Sequence, residues 1–234
     1  MTRPHTGRWL EELTPGTVIQ HAIRRTITQF KTEVTRLFFS LPASKGFLLA
    51  GGGALLANGL TARPTQDLDF FGTPNLVDIV AARDQFEAAL GERNIVCERV
   101  QDSNNFVRLR LSTADEALIV DLAIDSPPRR RPVMTIIGPT FDPEELAGRK
   151  LAALFSRAEA RDFTDVFELA RQFDRQLILD RATEVDLGIE PGILATMMRT
   201  LSRFTDDELP VGVSRVAAMR EFFRSWADEL DSLP

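Results

Sequence analysis

The sequence is poor in the side chains that most chemistry at neutral pH relies on. It has 1 Cys and 2 His in 234 residues. The lone Cys97 excludes an internal disulfide, and the lack of a Cys/His set excludes a zinc centre. His5 and His21 both lie near the N-terminus, which argues against a Ser-His-Asp hydrolase. No apolar run approaches the roughly 18 residues that a membrane helix needs. The opening MTRPHTGRWLEEL has no apolar stretch of the signal-peptide kind. Lysine is scarce too: Lys31, Lys45 and Lys150 stand among 28 basic residues. The expectation is a soluble cytoplasmic protein.

What is present is ordinary for a globular chain, with 44% hydrophobic and 26% charged residues, enough to build a real core. The net charge of -6 is unevenly spread. Residues 1–66 hold 8 basic and 3 acidic side chains, whereas residues 67–128 hold 5 and 12. A basic N-terminal segment therefore precedes an acidic middle. Clustered carboxylates repel one another unless a cation neutralises them; the plain alternative is a solvated acidic surface.

Apolar residues from Val18 to Leu41 recur at three- and four-residue spacing and predict an amphipathic helix with Arg24, Arg25, Lys31 and Arg36 on its other face. Phe47–Ala50 reads as a buried strand running through Gly51-Gly52-Gly53 into a short helix. Further strands are expected at Asp67–Phe71, Asn94–Val100, Phe106–Leu111 and Leu118–Ile124, the last two as a hairpin, with an edge strand at Val133–Ile137. A helix is expected over Pro74–Leu90. Beyond Pro143 the pattern turns helical, near 143–156, 160–174, 191–203 and 212–230. The fold class is α+β: a mixed sheet with flanking helices over residues 1–138, then a helical lobe over 139–234 that completes the active site.

The stretch from Gly51 to Phe71 carries the chemistry. Glycines after a strand allow positive φ and close backbone approach, and a helix opening there presents free N–H groups to phosphate. Tight strand-to-helix turns also use glycine routinely. Asp67 and Asp69 share one face of a strand that is otherwise apolar. Two such acids are unfavourable unless both reach water or a positive group lies between them. Asp121, inside Leu118–Ile124, is a third acid in apolar surroundings. Beside the first pair it would complete a three-carboxylate site for two metal ions, suited to in-line attack on an α-phosphate. Asp125, at the strand end, is its rival.

Gly52-Gly53, thirteen residues and then Asp67-x-Asp69 resembles the signature of the polymerase-β-like nucleotidyltransferase superfamily. A second block runs from Phe141 through Lys150-Leu151-Ala152-Ala153-Leu154, then Arg157 and Arg161-Asp162-Phe163-Thr164-Asp165. It is similar to the pattern of the AbiEii family of toxins, which includes the mycobacterial MenT enzymes. Lys150 sits among Leu146, Leu151 and Leu154, so its stem can be half-buried while its ammonium reaches a cleft. Asp162 and Asp165 share a helical face; either could orient Lys150 or a metal-bound hydroxyl, with Arg161 able to pair with Asp165. Arg157 and Arg161 could bind phosphate. The Arg129–Arg131 run contacts RNA or solvates the surface.

The resemblance implies a toxin that transfers a nucleoside monophosphate from an NTP, a pyrimidine NTP in the MenT-like branch, to the 3′ end of tRNA. It implies Mg²⁺, as two ions or with Mn²⁺ in its place, and a cognate antitoxin. Asp67, Asp69 and Asp121 would hold metal, Lys150 and Asp165 would join them in catalysis, and Gly52, Gly53, Lys150, Arg157, Arg161 and Asp162 would bind nucleotide. The alternatives are transfer to a protein hydroxyl or to a small molecule such as an aminoglycoside, or a catalytically silent nucleotide- or partner-binding fold.

Overall fold

A computed structural model describes residues 27–232. The first helix, α1 (Gln29–Ser40), begins where the Thr28 hydroxyl accepts from the Lys31 N–H. Ile27, expected within the helix, precedes that cap. The earlier part of the expected helix, with Arg24 and Arg25, lies outside the described residues. Of its two described cations, the Lys31 ammonium donates to the Thr65 carbonyl and Arg36 to the Ile136 carbonyl. Both donate to backbone carbonyls of neighbouring loops; Lys31 is half-buried and Arg36 is exposed.

Seven strands make one sheet in the order β3-β4-β5-β2-β1-β7-β6. They are β1 (Phe47–Ala50), β2 (Asp67–Gly72), β3 (Val96–Asp102), β4 (Phe106–Ser112), β5 (Ala117–Ile124), β6 (Val133–Met134) and β7 (Pro139–Thr140). Most neighbours are antiparallel, but β2 runs parallel to β5, and β1 to β7. The sheet is thus mixed, as expected. Of the edge strand expected at 133–137, only Val133 and Met134 are strand, followed by a turn into β7. The β4–β5 hairpin keeps Val107, Leu109 and Leu111 inside and the intervening arginines outside.

The short helix α2 (Gly51–Ala57) follows β1 directly, and α3 (Ile79–Gly91) packs beside β3. The expected helix start at Pro74 moves to Ile79, because the Asp78 carboxylate caps the N–H groups of Val80 and Ala81. Phe38, Phe47, Phe70 and Phe86 interlock beneath the sheet, with Phe38 and Phe70 stacked 4.2 Å apart.

Helices α4 (Pro143–Arg157), α5 (Ala160–Leu169), α6 (Arg175–Val185), α7 (Pro191–Arg199) and α8 (Val213–Asp231) follow. Asp142 caps α4 and Pro143 opens it. Glu159 and Asp162 form a reciprocal capping box at α5. The helix expected over 160–174 ends at Leu169, and α6 is a helix the hydrophobic spacing missed. It buries Ile178, Leu179 and Ala182 on α4. There Gly148 permits the approach: a Cβ on it would lie 2.4 Å from the Arg181 carbonyl carbon. No described helix is long and apolar enough to cross a membrane.

Candidate active site

A cavity of about 870 Å³ opens between the sheet and helices α4 and α5. Its sheet wall begins at the glycine turn. Gly51 has φ +57°, and a Cβ there would fall 1.9 Å from Asp69 Oδ2. Glycine at 51 therefore makes room for that carboxylate. A Cβ on Gly52 would meet the Thr65 hydroxyl at 2.7 Å. Gly53 departs from the expected phosphate cradle. Its α-carbon faces Leu49 and Leu68 in the core, so its glycine serves packing.

Strand β2 alternates, with Leu68 and Phe70 buried and Asp67 and Asp69 turned to the cavity. Parallel pairing with β5 sets Asp69 directly beside Asp121. The three acids expected from the sequence are brought to one face, but their partners differ. Burial opposes ionisation of Asp67, yet the Thr65 hydroxyl, which donates to Oδ1 at 2.8 Å, and Arg161, 3.1 Å from Oδ2, together hold its pKa below the usual carboxylate range. Asp69 is pushed up to about 6, first by burial and then by the charges of Asp67 and Asp121, with Lys150 and Arg161 opposing.

Asp121 is bound by its cross-strand neighbour. Arg108 Nε lies 2.8 Å from Oδ1, and Nη2 lies 2.7 Å from Oδ2. Arg108 is not among the site residues expected from the sequence. The signal that could have found it is the antiparallel register, which puts Arg108 opposite Asp121. The rival acid, Asp125, pairs with Arg149 at 3.1 Å. Arg149 lines the cavity while stacked 3.9 Å over Phe141.

On the helical wall, Lys150 from α4 reaches Asp165 of α5 at 2.8 Å. Asp165 is fully buried and is also gripped by Arg63, whose Nε and Nη2 donate to Oδ1 and Oδ2 at 3.0 Å each. Arg63 comes from the loop before β2, and the sequence pattern gave no sign of it. Asp162 is equally buried, but it caps its own helix and takes a two-pronged contact from Arg157 at 2.9 and 3.0 Å. It is therefore withdrawn from the expected nucleotide contact. Arg157 and Arg161 line the cavity as expected. Arg161, however, turns to Asp67 and Glu159, not to Asp165.

This donor set suits a hard divalent cation held by two carboxylates and by oxygens that a substrate brings. Asp69 is disfavoured as an anion where it stands, and its Oδ2 occupies the space that Gly51 leaves. Among the described residues, no three Asp, Glu, His or Cys side chains gather closely enough to hold a metal by themselves. The expected third ligand, Asp121, has both oxygens on Arg108.

A family profile described as nucleotidyl transferase AbiEii toxin, type IV toxin–antitoxin system, matches residues 36–222. No curated protein matches the sequence. Among solved structures, the chain is similar to MenT4, a nucleotidyltransferase toxin from Mycobacterium tuberculosis, with 17% identity, a TM-score of 0.55, and 95% of this chain and 91% of that one covered. It is also similar to JHP933 from Helicobacter pylori, with 20% identity, a TM-score of 0.48, and 94% and 97% covered. The first of these shows a shared fold.

Proposed function

The chain belongs to the AbiEii family of nucleotidyltransferase toxins of type IV toxin–antitoxin systems, and from that premise we propose that it transfers a nucleoside monophosphate from a pyrimidine NTP to the 3′ end of tRNA, releasing pyrophosphate. The observation that carries the reading is one cavity with two opposed walls. Asp67, Asp69 and Asp121 stand on the sheet, while Lys150, Arg149, Arg157 and Arg161 stand on the helices.

In this reading the triphosphate lies across the cavity with its β- and γ-phosphates toward Lys150. Among the described residues Lys150 contacts one carboxylate, Asp165 at 2.8 Å, so further N–H donors remain for phosphate oxygens. Arg63 shares the Asp165 charge, which keeps the three-residue group net positive. Arg157 and Arg161 lie on the same wall and add charge for the leaving pyrophosphate. Asp67 and Asp69 would hold Mg²⁺ or Mn²⁺, which supplies charge compensation at the α-phosphate and lowers the pKa of the attacking hydroxyl. The acceptor hydroxyl gives up its proton to solvent, and its oxygen bonds to the α-phosphorus as the bond from that phosphorus to the α,β-bridging oxygen breaks and pyrophosphate leaves. Gly51 and Gly52 line the cavity beside Asp69 and the Thr65 hydroxyl, so the phosphate would sit next to that turn.

Total RNA incubated with the protein and each labelled NTP in turn tests the proposal. Label on the tRNA band from CTP or UTP supports it; label only on protein or on an added aminoglycoside rejects the RNA acceptor. One observation favours a small acceptor: Lys31, half-buried, donates to the Thr65 carbonyl, which leaves Arg36 as the exposed cation of the described part of that helix. Salt and charge reversal separate the two. Each phosphate contact releases counterions, so tRNA labelling falls steeply with salt and with Arg24→Glu/Arg25→Glu, whereas small-molecule labelling responds to neither. A cognate antitoxin is the expected partner that restrains the toxin.

A further inference from the structure

Arg108 is the cavity cation that the proposed reaction leaves without a task. Its guanidinium spans both oxygens of Asp121, at 2.8 and 2.7 Å, and lies 5.5 Å from the centre of the Phe106 ring. Asp121 is buried, yet the Arg108 side chain is 44% exposed, so it is free to swing on its own stem. The contact is unlike the other two-pronged pairs of the cavity. Arg63–Asp165 joins a loop to a helix, and Arg157–Asp162 closes a helix cap. Arg108 and Asp121 are already registered by their strands, whose hydrogen-bonded ladder does not require the pair. Asp121 stands beside Asp69 in the parallel register of β2 and β5.

We propose that Arg108 is a built-in counter-ion that keeps a divalent cation away from Asp121 in the nucleotide-free protein. The inference rests on the metal-site reading of Asp67 and Asp69 given above. Without nucleotide, the site takes one ion at Asp67 and Asp69, because a second would face the guanidinium at close range with no free oxygen on Asp121. A bound triphosphate offers the guanidinium a competing dianionic partner in the same cavity. Arg108 then moves from carboxylate to phosphate, and Asp121 becomes available to a second ion. Occupancy of the second position is thereby conditional on nucleotide. A guanidinium is a suitable guard for this role, since its planar fork covers both carboxylate oxygens where an ammonium covers one.

Titration of Mn²⁺ into the nucleotide-free protein, read by electron paramagnetic resonance, tests this without recourse to activity. Wild type is expected to bind one ion. Arg108→Gln is expected to bind two. Asp121→Asn alone should leave wild-type Mn²⁺ binding unchanged, and in the Arg108→Gln background it should abolish the gain. A non-hydrolysable NTP analogue should bring wild type to two ions. Should Arg108→Gln misfold, Arg108→Lys is measured in its place and should show a smaller gain of the same sign. Equal stoichiometry and affinity in wild type and the Arg108 variant overturns the counter-ion role and leaves the metal site standing. Failure of both to bind Mn²⁺, with wild type unresponsive to Asp69→Asn, overturns the metal-site reading and this inference with it.

Discussion

The buried acids of the helical wall and Asp69 on the sheet wall show the same residue type treated in opposite ways. On the helical wall, Asp162 and Asp165 are fully buried and each is matched by an arginine fork, with Lys150 added at Asp165. On the sheet wall, Asp69 faces two other acids and is pushed up to about 6. Matched acids hold structure together, because removing one partner strands the other's charge. An unmatched acid holds nothing together and is retained at a loss to stability. The difference separates positions that build the site from positions kept for what they bind.

The largest effect that would break this contrast is on turnover. Asp69→Ala should reduce transfer at least about a thousandfold, roughly 4 kcal/mol of transition-state stabilisation, without lowering the melting temperature. Single-turnover assays beside thermal melts check both halves. Asp165→Asn should act on the fold as well, destabilising by about 3–5 kcal/mol because Arg63 and Lys150 lose their shared carboxylate; urea denaturation reads it. If the two variants prove equally stable, the contrast between the walls fails.

Lys150 sharpens it at smaller scale. Lys150→Ala should lower NTP use about a hundredfold, and Lys150→Arg should not restore it, since a planar fork does not fit where one compact ammonium meets both Asp165 and phosphate. The KM for NTP and the turnover rate, compared across the two variants, test this.

The smallest effect is on pH. The folded pKa of Asp69 lies above its unfolded value, so the native state holds that proton more tightly. Its contribution to stability therefore declines as pH rises from about 4 to about 6, and the full penalty persists above that. Asp67, shifted down, acts in the opposite sense and adds stability that is lost as pH falls through its folded pKa. Asp69→Asn should raise metal-free stability by about 1–2 kcal/mol at pH 7, allowing for screening at a partly exposed group, and by almost nothing at pH 4. Denaturation curves at the two pH values measure the difference.

How far the sequence disclosed this site depended on distance along the chain. Strand alternation, acting over two residues, placed Asp67 and Asp69 on one face, whereas Lys150 was singled out by the resemblance to the AbiEii pattern, since helical spacing alone reads it as readily as a surface lysine. Arg63 and Arg108 were not legible. Arg63 meets Asp165 across 102 residues, and Arg108 meets Asp121 through a register that neither strand specifies alone. In the fold, the β1 and β4–β5 strands followed from hydrophobic pattern. Helix α6 did not, because its partner surface is the gap left by Gly148, and a missing side chain has no periodicity to read. The start of α1 shows the same limit: apolar spacing includes Ile27, but the Thr28 cap opens the helix at Gln29.

The Arg63–Asp165–Lys150 group has a consequence for anyone who divides the chain. Its first member precedes β2, and the other two lie on α4 and α5. A fragment ending before Pro143 would keep all three cavity carboxylates of the sheet and lose Lys150, Asp165, Arg157 and Arg161 together. A fragment beginning there would carry those four and none of the sheet's acids. The toxin is in this sense a two-key lock, with one key on each side of residue 142. Two inert halves expressed from separate messages, each fused to one of a pair of associating tags, would make toxicity a reporter of whether those tags meet.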